Sequence, residues 1–294
     1  MNRTGPAVAL VAALAVACGG RHVPRELVVG STPDAESAVL AELYAGALRS
    51  FAAPARVVSE RDPLRQLDTG GNDVVPGFTG RFLQTFAPGT AATSDEQVYR
   101  AMVAALPEGV AAGDYTPAAQ DTPTVAVTAA TATAWGGRQL SLLARHCSQL
   151  TVGKVAGVGV PTAVGGCTLP PIREFQGDAA LFDALHAGEV NAAWTTTADP
   201  AVPSDVVSLA EGDPTMVPAE NVVPLYRRNE LTEREALAVD EVAGEFDTAA
   251  LADMRRQVAA GPGFLRLRLP HRVLGGKVCA GIGLCHGRRL LIGR

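Results

Sequence analysis

The amino-acid sequence predicts an α/β protein of two lobes joined by two crossing strands. Three observations lead there. Short apolar runs alternate with stretches of helical periodicity from residue 26 to 122, the pattern of layered strands and helices. The alternation restarts after Thr122. A late apolar run at Val222–Leu225, followed by two more helical stretches, then reads as a return to the first set. A cleft between two such lobes is the natural place for a small solute.

The first unit is a strand at Glu26–Val29 running into Gly30-Ser31-Thr32-Pro33-Asp34. Ser31 or Thr32 offers a helix cap, and Pro33 suits a first turn, where no N–H is needed. Val39, Leu40, Leu43, Ala47, Leu48 and Phe51 follow at helical spacing. Further strands are expected at Arg56–Val58 and Asp73–Pro76, with a helix from Leu64 stopped by Gly70-Gly71 between them. In the second set, strands are expected at Val125–Thr128, Val155–Val160, Val190–Trp194 and Val206–Leu209. Helices are expected at Gln139–Ala144 and Ala179–His186, and Pro161–Gly166 reads as a loop. Thr232–Val242 and Thr248–Val258 complete the pattern as helices.

The N-terminus carries Arg3, an apolar run from Ala7 to Ala17, and then Cys18. That run is too short for a spanning helix, which needs about 20 residues, and it suits a secretory signal. Leu14-Ala15-Val16-Ala17-Cys18 reads as a lipobox, with Cys18 as the acylated residue and residues 18–24 as a tether. Residues 264–294 hold seven Arg or Lys and no acid, a basic tail expected to pack poorly. The body from 18 to 263 carries 17 basic against 30 acidic residues. Nucleic-acid binding needs clustered Lys and Arg for the phosphates, so that class is excluded. Cys147 and Cys167 can meet at the rim of the second lobe as a disulfide, as an exported chain permits.

Motifs for chemistry are thin. There is no G-x-S-x-G, no H-E-x-x-H and no Walker-type phosphate loop. Gly157-Val158-Gly159 lacks the third glycine of a dinucleotide fingerprint. His271, Cys279, Cys285 and His286 match zinc spacing poorly, since five residues separate the cysteines. Neither a metal nor a cofactor is expected, and no catalytic residue is assigned.

Four segments carry a resemblance. Gly30-Ser31-Thr32-Pro33-Asp34-Ala35-Glu36-Ser37, with Ala41-Glu42-Leu43-Tyr44, is the first. Asp73-Val74-Val75-Pro76-Gly77-Phe78-Thr79-Gly80 is similar to D-x-x-P-E-Y-T-G, and Asn221 to Arg228 is similar to N-x-V-P-L-V-R-K. Phe246-Asp247-Thr248-Ala249-Ala250-Leu251 is similar to L-T-T-E-E-M. In this order they resemble the substrate-binding proteins of osmoprotectant (glycine betaine, choline, carnitine) ABC importers, and Val125–Ala132 resembles the opening of that family's second lobe. The resemblance implies a bilobal periplasmic-binding fold of the type II kind. Lobe 1 would comprise residues 24–122 plus 222–294, and lobe 2 residues 123–221, after a signal peptide at 1–17. It also implies an ABC permease as partner, a membrane held through the lipid anchor, and a monomer.

The departures bear on the ligand. The resemblance implies a cage of aromatic rings around a quaternary ammonium, held by cation–π attraction. Here the ring positions read Asp34, Phe78, Pro123, Thr196 and Glu220, and the Glu before the motif's Tyr is Gly77. Trp194 lies two residues before Thr196. The expected lining is therefore Ser31, Thr32, Asp34, Arg81, Thr195, Thr196, Glu220 and Asn221, with Phe78 and Trp194 as stacking faces. Such a lining suits a hydroxylated or otherwise polar solute rather than a quaternary ammonium. Two other function classes stand beside the importer reading: an envelope sensor or adaptor without transport, and an enzyme on the same bilobal fold. Permease and ATPase genes beside this one would separate transport from sensing, and turnover of a bound ligand would mark an enzyme.

Overall fold

A computed structural model describes residues 25–259. Cys18, the expected signal sequence and the basic tail, with its cysteines and histidines, lie outside the described residues.

The first sheet holds β1 (Leu27–Ser31), β2 (Ala55–Ser59), β3 (Val74–Phe78), β4 (Val110–Ala112), β5 (Thr116–Gln120) and the late β13 (Asn221–Arg227). Its order is β2-β1-β3-β13-β4, with β5 also on β13. β2 and β3 run parallel to β1, while β13 is antiparallel to β3, β4 and β5. The second sheet holds β6 (Pro123–Thr128), β7 (Val152–Val155), β10 (Arg173–Phe175), β11 (Ala192–Thr196) and β12 (Val206–Ser208), in the order β10-β7-β11-β6-β12. A separate hairpin pairs β8 (Ala163–Val164) with β9 (Cys167–Thr168). Strands from distant parts of the chain thus share the first sheet, and the strands between β5 and β13 build the second sheet and the hairpin.

Helix α1 (Ala35–Ser50) lies on the first sheet and is buried along Val39, Leu40, Leu43, Tyr44 and Leu48. Its cap is Asp34, whose carboxylate accepts from the Ser37 N–H at 2.8 Å, while Ser37 Oγ accepts from the Thr32 N–H at 2.9 Å. The expected caps, Ser31 and Thr32, lie further upstream. An ionised carboxylate at the positive end of a helix is the stronger acceptor. Helix α2 (Pro63–Thr69) is capped by Asp62 and stopped by left-handed Gly70, as the glycine pair implies. Helices α3 (Thr79–Phe86) and α4 (Asp95–Ala104) cover the β3–β13 side. Helix α8 (Glu233–Glu245) starts with a Thr232–Glu235 capping box, and α9 (Thr248–Ala259) follows. Both pack on α1.

Helices α5 (Ala129–Trp135), α6 (Leu142–His146) and α7 (Asp178–His186) accompany the second sheet. Its boundaries differ most from expectation. The strand expected at Val155–Val160 is β7 at Val152–Val155 instead. Gly157 turns the chain at φ 80°, and Val158 is exposed. The expected loop at Pro161–Gly166 contains β8, because Gly165 and Gly166 both take positive φ, the condition for a two-residue hairpin. Helix α5 escapes the periodicity reading because Ala132 is its one buried residue.

Candidate functional site

A cavity of about 280 Å³ opens where β1 and β3 end and α1, α2 and α3 begin. Helix N-termini gather there because parallel strands feed their helices from one edge of the sheet. Thr32, Asp34, Phe78 and Arg81 all line it, together with Glu36 and Asp62. Four of the sequence-predicted residues thus come together on lobe 1.

Behind the cavity the two crossings run side by side. The Asp121 N–H donates to the Glu220 carbonyl at 2.9 Å, and the Glu220 N–H donates to Thr122 Oγ1 at 3.2 Å. Thr79 Oγ1 bridges them to α3, donating to the Ala219 carbonyl at 3.3 Å and accepting from the Asn221 N–H at 3.1 Å. The end of β11 joins here, through Thr197 N–H to the Thr122 carbonyl at 3.0 Å.

An ion cluster ties these segments. The Arg81 guanidinium pairs with Glu36 of α1 and, at 2.8 Å, with Asp121. Arg255 of α9 reaches the same two carboxylates, at 2.8 Å to Asp121 and 3.1 Å to Glu36. Glu220 takes the Arg81 backbone N–H at 2.9 Å. Phe78, the N-cap of α3, supplies no side-chain acceptor, so Glu220 does that work from across the fold. Gly80 makes room: a Cβ there would lie 2.7 Å from Glu220 Oε1 and 2.8 Å from the Ala219 carbonyl. The Arg81 Cζ stands 4.3 Å from the centroid of the Phe78 ring.

Burial pushes the Glu36 carboxyl up to about 7, with Asp121 adding repulsion. Burial likewise raises Glu220 to about 7, against the pull of the Arg81 N–H and guanidinium. Asp121 goes the other way: burial opposes ionisation, but Arg255 and its other partners hold it below the usual range. Arg81 is held more firmly protonated, because Glu36 and Asp121 outweigh its desolvation. Two guanidinium groups therefore face one firmly ionised carboxylate, Asp121, and two whose ionisation burial opposes, Glu36 and Glu220.

Of the remaining predicted residues, Ser31, Asn221, Trp194 and Thr195 lie elsewhere. Ser31 is fully buried and aims its hydroxyl at the Val58 carbonyl, 3.5 Å away. Asn221 is fully buried and donates to the Thr116 carbonyl. Trp194, 3 % exposed, packs into the lobe 2 core with Val125, Leu143 and Leu209. It offers no stacking face, because the strand register points it opposite Val125 into that core. Thr195 donates to Asp199 at 2.6 Å, whereas Thr196, at the end of β11, stands against Asp121 of the ion cluster and helps hold that carboxyl ionised, though neither lines the lobe 1 cavity. Sequence reasoning missed Asp121 and Arg255. Neither stands in a motif: Asp121 pairs with Arg81 from the first crossing, and the return of α9 over α1 brings Arg255 to Asp121 and Glu36. Gly77 proves to be a packing position: a Cβ would lie 2.4 Å from the Phe82 ring, which takes that space.

Among the described residues no group of three or more His, Cys, Asp or Glu is placed to hold a metal ion, and no helix is long and apolar enough to cross a membrane. The family model for the substrate-binding domain of ABC-type glycine betaine transport systems matches residues 25–262. No curated protein sequence matches the chain. Among solved structures, the crystal structure of a glycine betaine/carnitine/choline ABC transporter superposes with a TM-score of 0.68 at 14 % identity, covering 81 % of this chain and 92 % of that one. Apo YehZ from Escherichia coli gives 0.61 at 19 % identity, covering 81 % and 93 %. A choline-binding protein of an ABC transporter, in complex with choline, gives 0.50 at 15 %, covering 80 % and 83 %. These likenesses establish the bilobal fold. The matched family model, spanning both sheets and both crossings, settles the rest: the chain belongs to the substrate-binding domains of ABC-type glycine betaine transport systems and serves ABC transport by binding a solute.

Proposed function

We propose that this protein is a lipid-anchored receptor outside the cytoplasmic membrane, working as a monomer and delivering a polar, hydroxylated solute to an ABC permease. The solute would enter the lobe 1 cavity beside Thr32, Asp34 and Arg81, and lobe 2 would close over it, bringing Thr195 and Thr196 from the end of β11. Closure follows from population shift: a ligand that touches both lobes only when they are shut stabilises that state. The paired crossings at 121–122 and 219–220 are where such bending would occur.

The observation that carries the choice of ligand is the burial of the rings. Phe78 is 2 % exposed and Trp194 3 %, so neither presents a free face to a trimethylammonium group. Such a group accepts no hydrogen bond and depends on π faces worth about 0.5–2 kcal/mol each. Losing three of them removes about 1.5–6 kcal/mol, one to four decades of affinity at about 1.4 kcal/mol per decade. Calorimetric titration is expected to show negligible heat with glycine betaine, choline and carnitine, and saturable binding within a panel of sugars, polyols and phenolic compounds. Micromolar betaine binding would overturn this ligand class.

Anchoring has its own test. Cys18→Ala is expected to release the protein from the membrane fraction, and intact mass should show a diacylglyceryl group on the parent only. A variant that still fractionates with membranes, beside an unlipidated parent, removes the anchor from the proposal.

A further inference from the structure

We propose that Arg81 is the specificity-determining residue of this site: its side chain fills a cation site that the rest of the protein builds, and thereby excludes cationic solutes. The inference rests on the reading of this cavity as the solute site.

An aromatic face flanked by carboxylates is a complete binding site for a small organic cation, by cation–π attraction and ion pairing together. The Phe78 ring supplies the face, with Glu36 on one side and Asp121 on another. Glu220 and Asp34 lie close enough for Arg81 to shift their ionisation. The guanidinium occupies the middle of this arrangement, its carbon 4.3 Å from the ring centroid. Its backbone is fixed by the Glu220 bond at 2.9 Å, so the side chain is delivered from a pinned first turn of α3. It is nonetheless 47 % exposed on the cavity side. One face covers the ring and the other meets whatever enters. An arriving cation would therefore meet a charge of its own sign and a ring already covered. A neutral polar solute would meet N–H donors whose charge is partly compensated.

Removing the guanidinium should reverse this preference. In Arg81→Ala the ring opens to the cavity, Glu36 and Asp121 keep Arg255 as an ion-pair partner, and Arg61 is the other guanidinium on the cavity lining among the described residues. Asp121 is buried and Glu36 partly buried, but both keep Arg255, so losing Arg81 weakens the fold. Arg81→Gln, which keeps an amide toward Asp121 without the charge, serves where the alanine variant does not fold.

The experiment titrates wild type, R81A (or R81Q) and the double variant F78L/R81A with N-ethylguanidinium and with choline, read by calorimetry and by thermal shift at fixed ionic strength. The vacated variant is expected to bind both cations at least about tenfold more tightly than wild type, one decade being within the reach of a single desolvated ring and pair. Leucine at position 78 should take back several-fold of the gain for choline. Equal responses of wild type and a folded vacated variant overturn the proposal, and so does a folded vacated variant that binds neither cation. The neutral panel on wild type is an independent arm. Failure there with a gain of cation binding in R81A sinks the hydroxylated-solute reading and leaves the role of Arg81 standing.

Discussion

Replacing Glu220 with alanine is expected to cost about 2–3 kcal/mol of folding stability, a large effect for one side chain at the cavity edge. Helix α3 has no acceptor of its own at the N-terminus, and Glu220 supplies one to the Arg81 N–H, with the Gly80 N–H adding to it. Losing a buried acceptor strands those donors at about 1–3 kcal/mol, and the vacated volume adds to that. Glu220→Gln retains an acceptor in the same place and should recover most of the loss. Urea unfolding of the three proteins gives the comparison. An alanine variant within about 0.5 kcal/mol of wild type, the ordinary range of a surface substitution, would show that α3 does not rely on Glu220.

The same residue sets a pH dependence. Glu220 and Glu36 ionise near 4.5 in the unfolded chain but only at about 7 in the folded one. Between these values the native state keeps protons that the unfolded state has released. Stability therefore falls as pH rises from about 4.5 to 7, and changes little from these groups above that. At about 1.36 kcal/mol per pH unit, the Glu220 carboxyl accounts for roughly 3 kcal/mol over the window, and Glu36, which shares its site with Asp121, acts in the same direction. Glutamine at 220 removes one share. Its stability should decline less between pH 4.5 and 7, and it should overtake wild type near pH 8. Parallel pH profiles for wild type and E220Q would mean that Glu220 is ionised throughout.

Much of the scaffold was legible because local rules agreed with the fold. Asp62-Pro63 and Gly70 bracket α2, Thr232 and Glu235 open α8, and the apolar stripe of α1 faces the first sheet. The site was legible only where a motif passed through it. Thr32, Asp34, Phe78 and Arg81 stand within or beside two of the matching segments, so sequence brought them together. Asp121 and Arg255 are 134 residues apart and meet because α9 returns across α1. Nothing local marks either. Burial misled in the opposite sense. Ser31, Asn221 and Trp194 have the chemistry of ligand contacts, but their side chains are spent on the sheet and the cores beneath the cleft. A strand end does not reveal which face its residue takes when the strand is shifted, as β7 and β11 are.

Removing the Cys147–Cys167 disulfide is expected to cost about 3 kcal/mol, confined to lobe 2. The two residues are 20 apart in sequence, their Cα atoms lie 5.6 Å apart, and the sulfurs are bonded in the structure. Closing a loop of that length takes about 3 kcal/mol of chain entropy from the unfolded state. The bond also has a position to defend. Cys147 follows α6, while Cys167 begins β9 of the small hairpin and is buried among Leu143, Leu150, Val164 and Leu169. Met216 and Val217 pack on that same cluster, in the segment leading to the second crossing. The bond therefore braces the hairpin against the part of lobe 2 that runs into the second crossing. Alanine at both positions is the cleaner substitution, since a serine hydroxyl at buried position 167 would add its own desolvation cost. C147A/C167A should unfold at lower urea, and its amides between residues 140 and 170 should exchange faster while α1 and the first sheet keep their protection. Reduced wild type should behave the same way. Peptide mapping of exported protein under non-reducing conditions is the direct check: two free thiols, or a double variant as stable as its parent, would remove the brace.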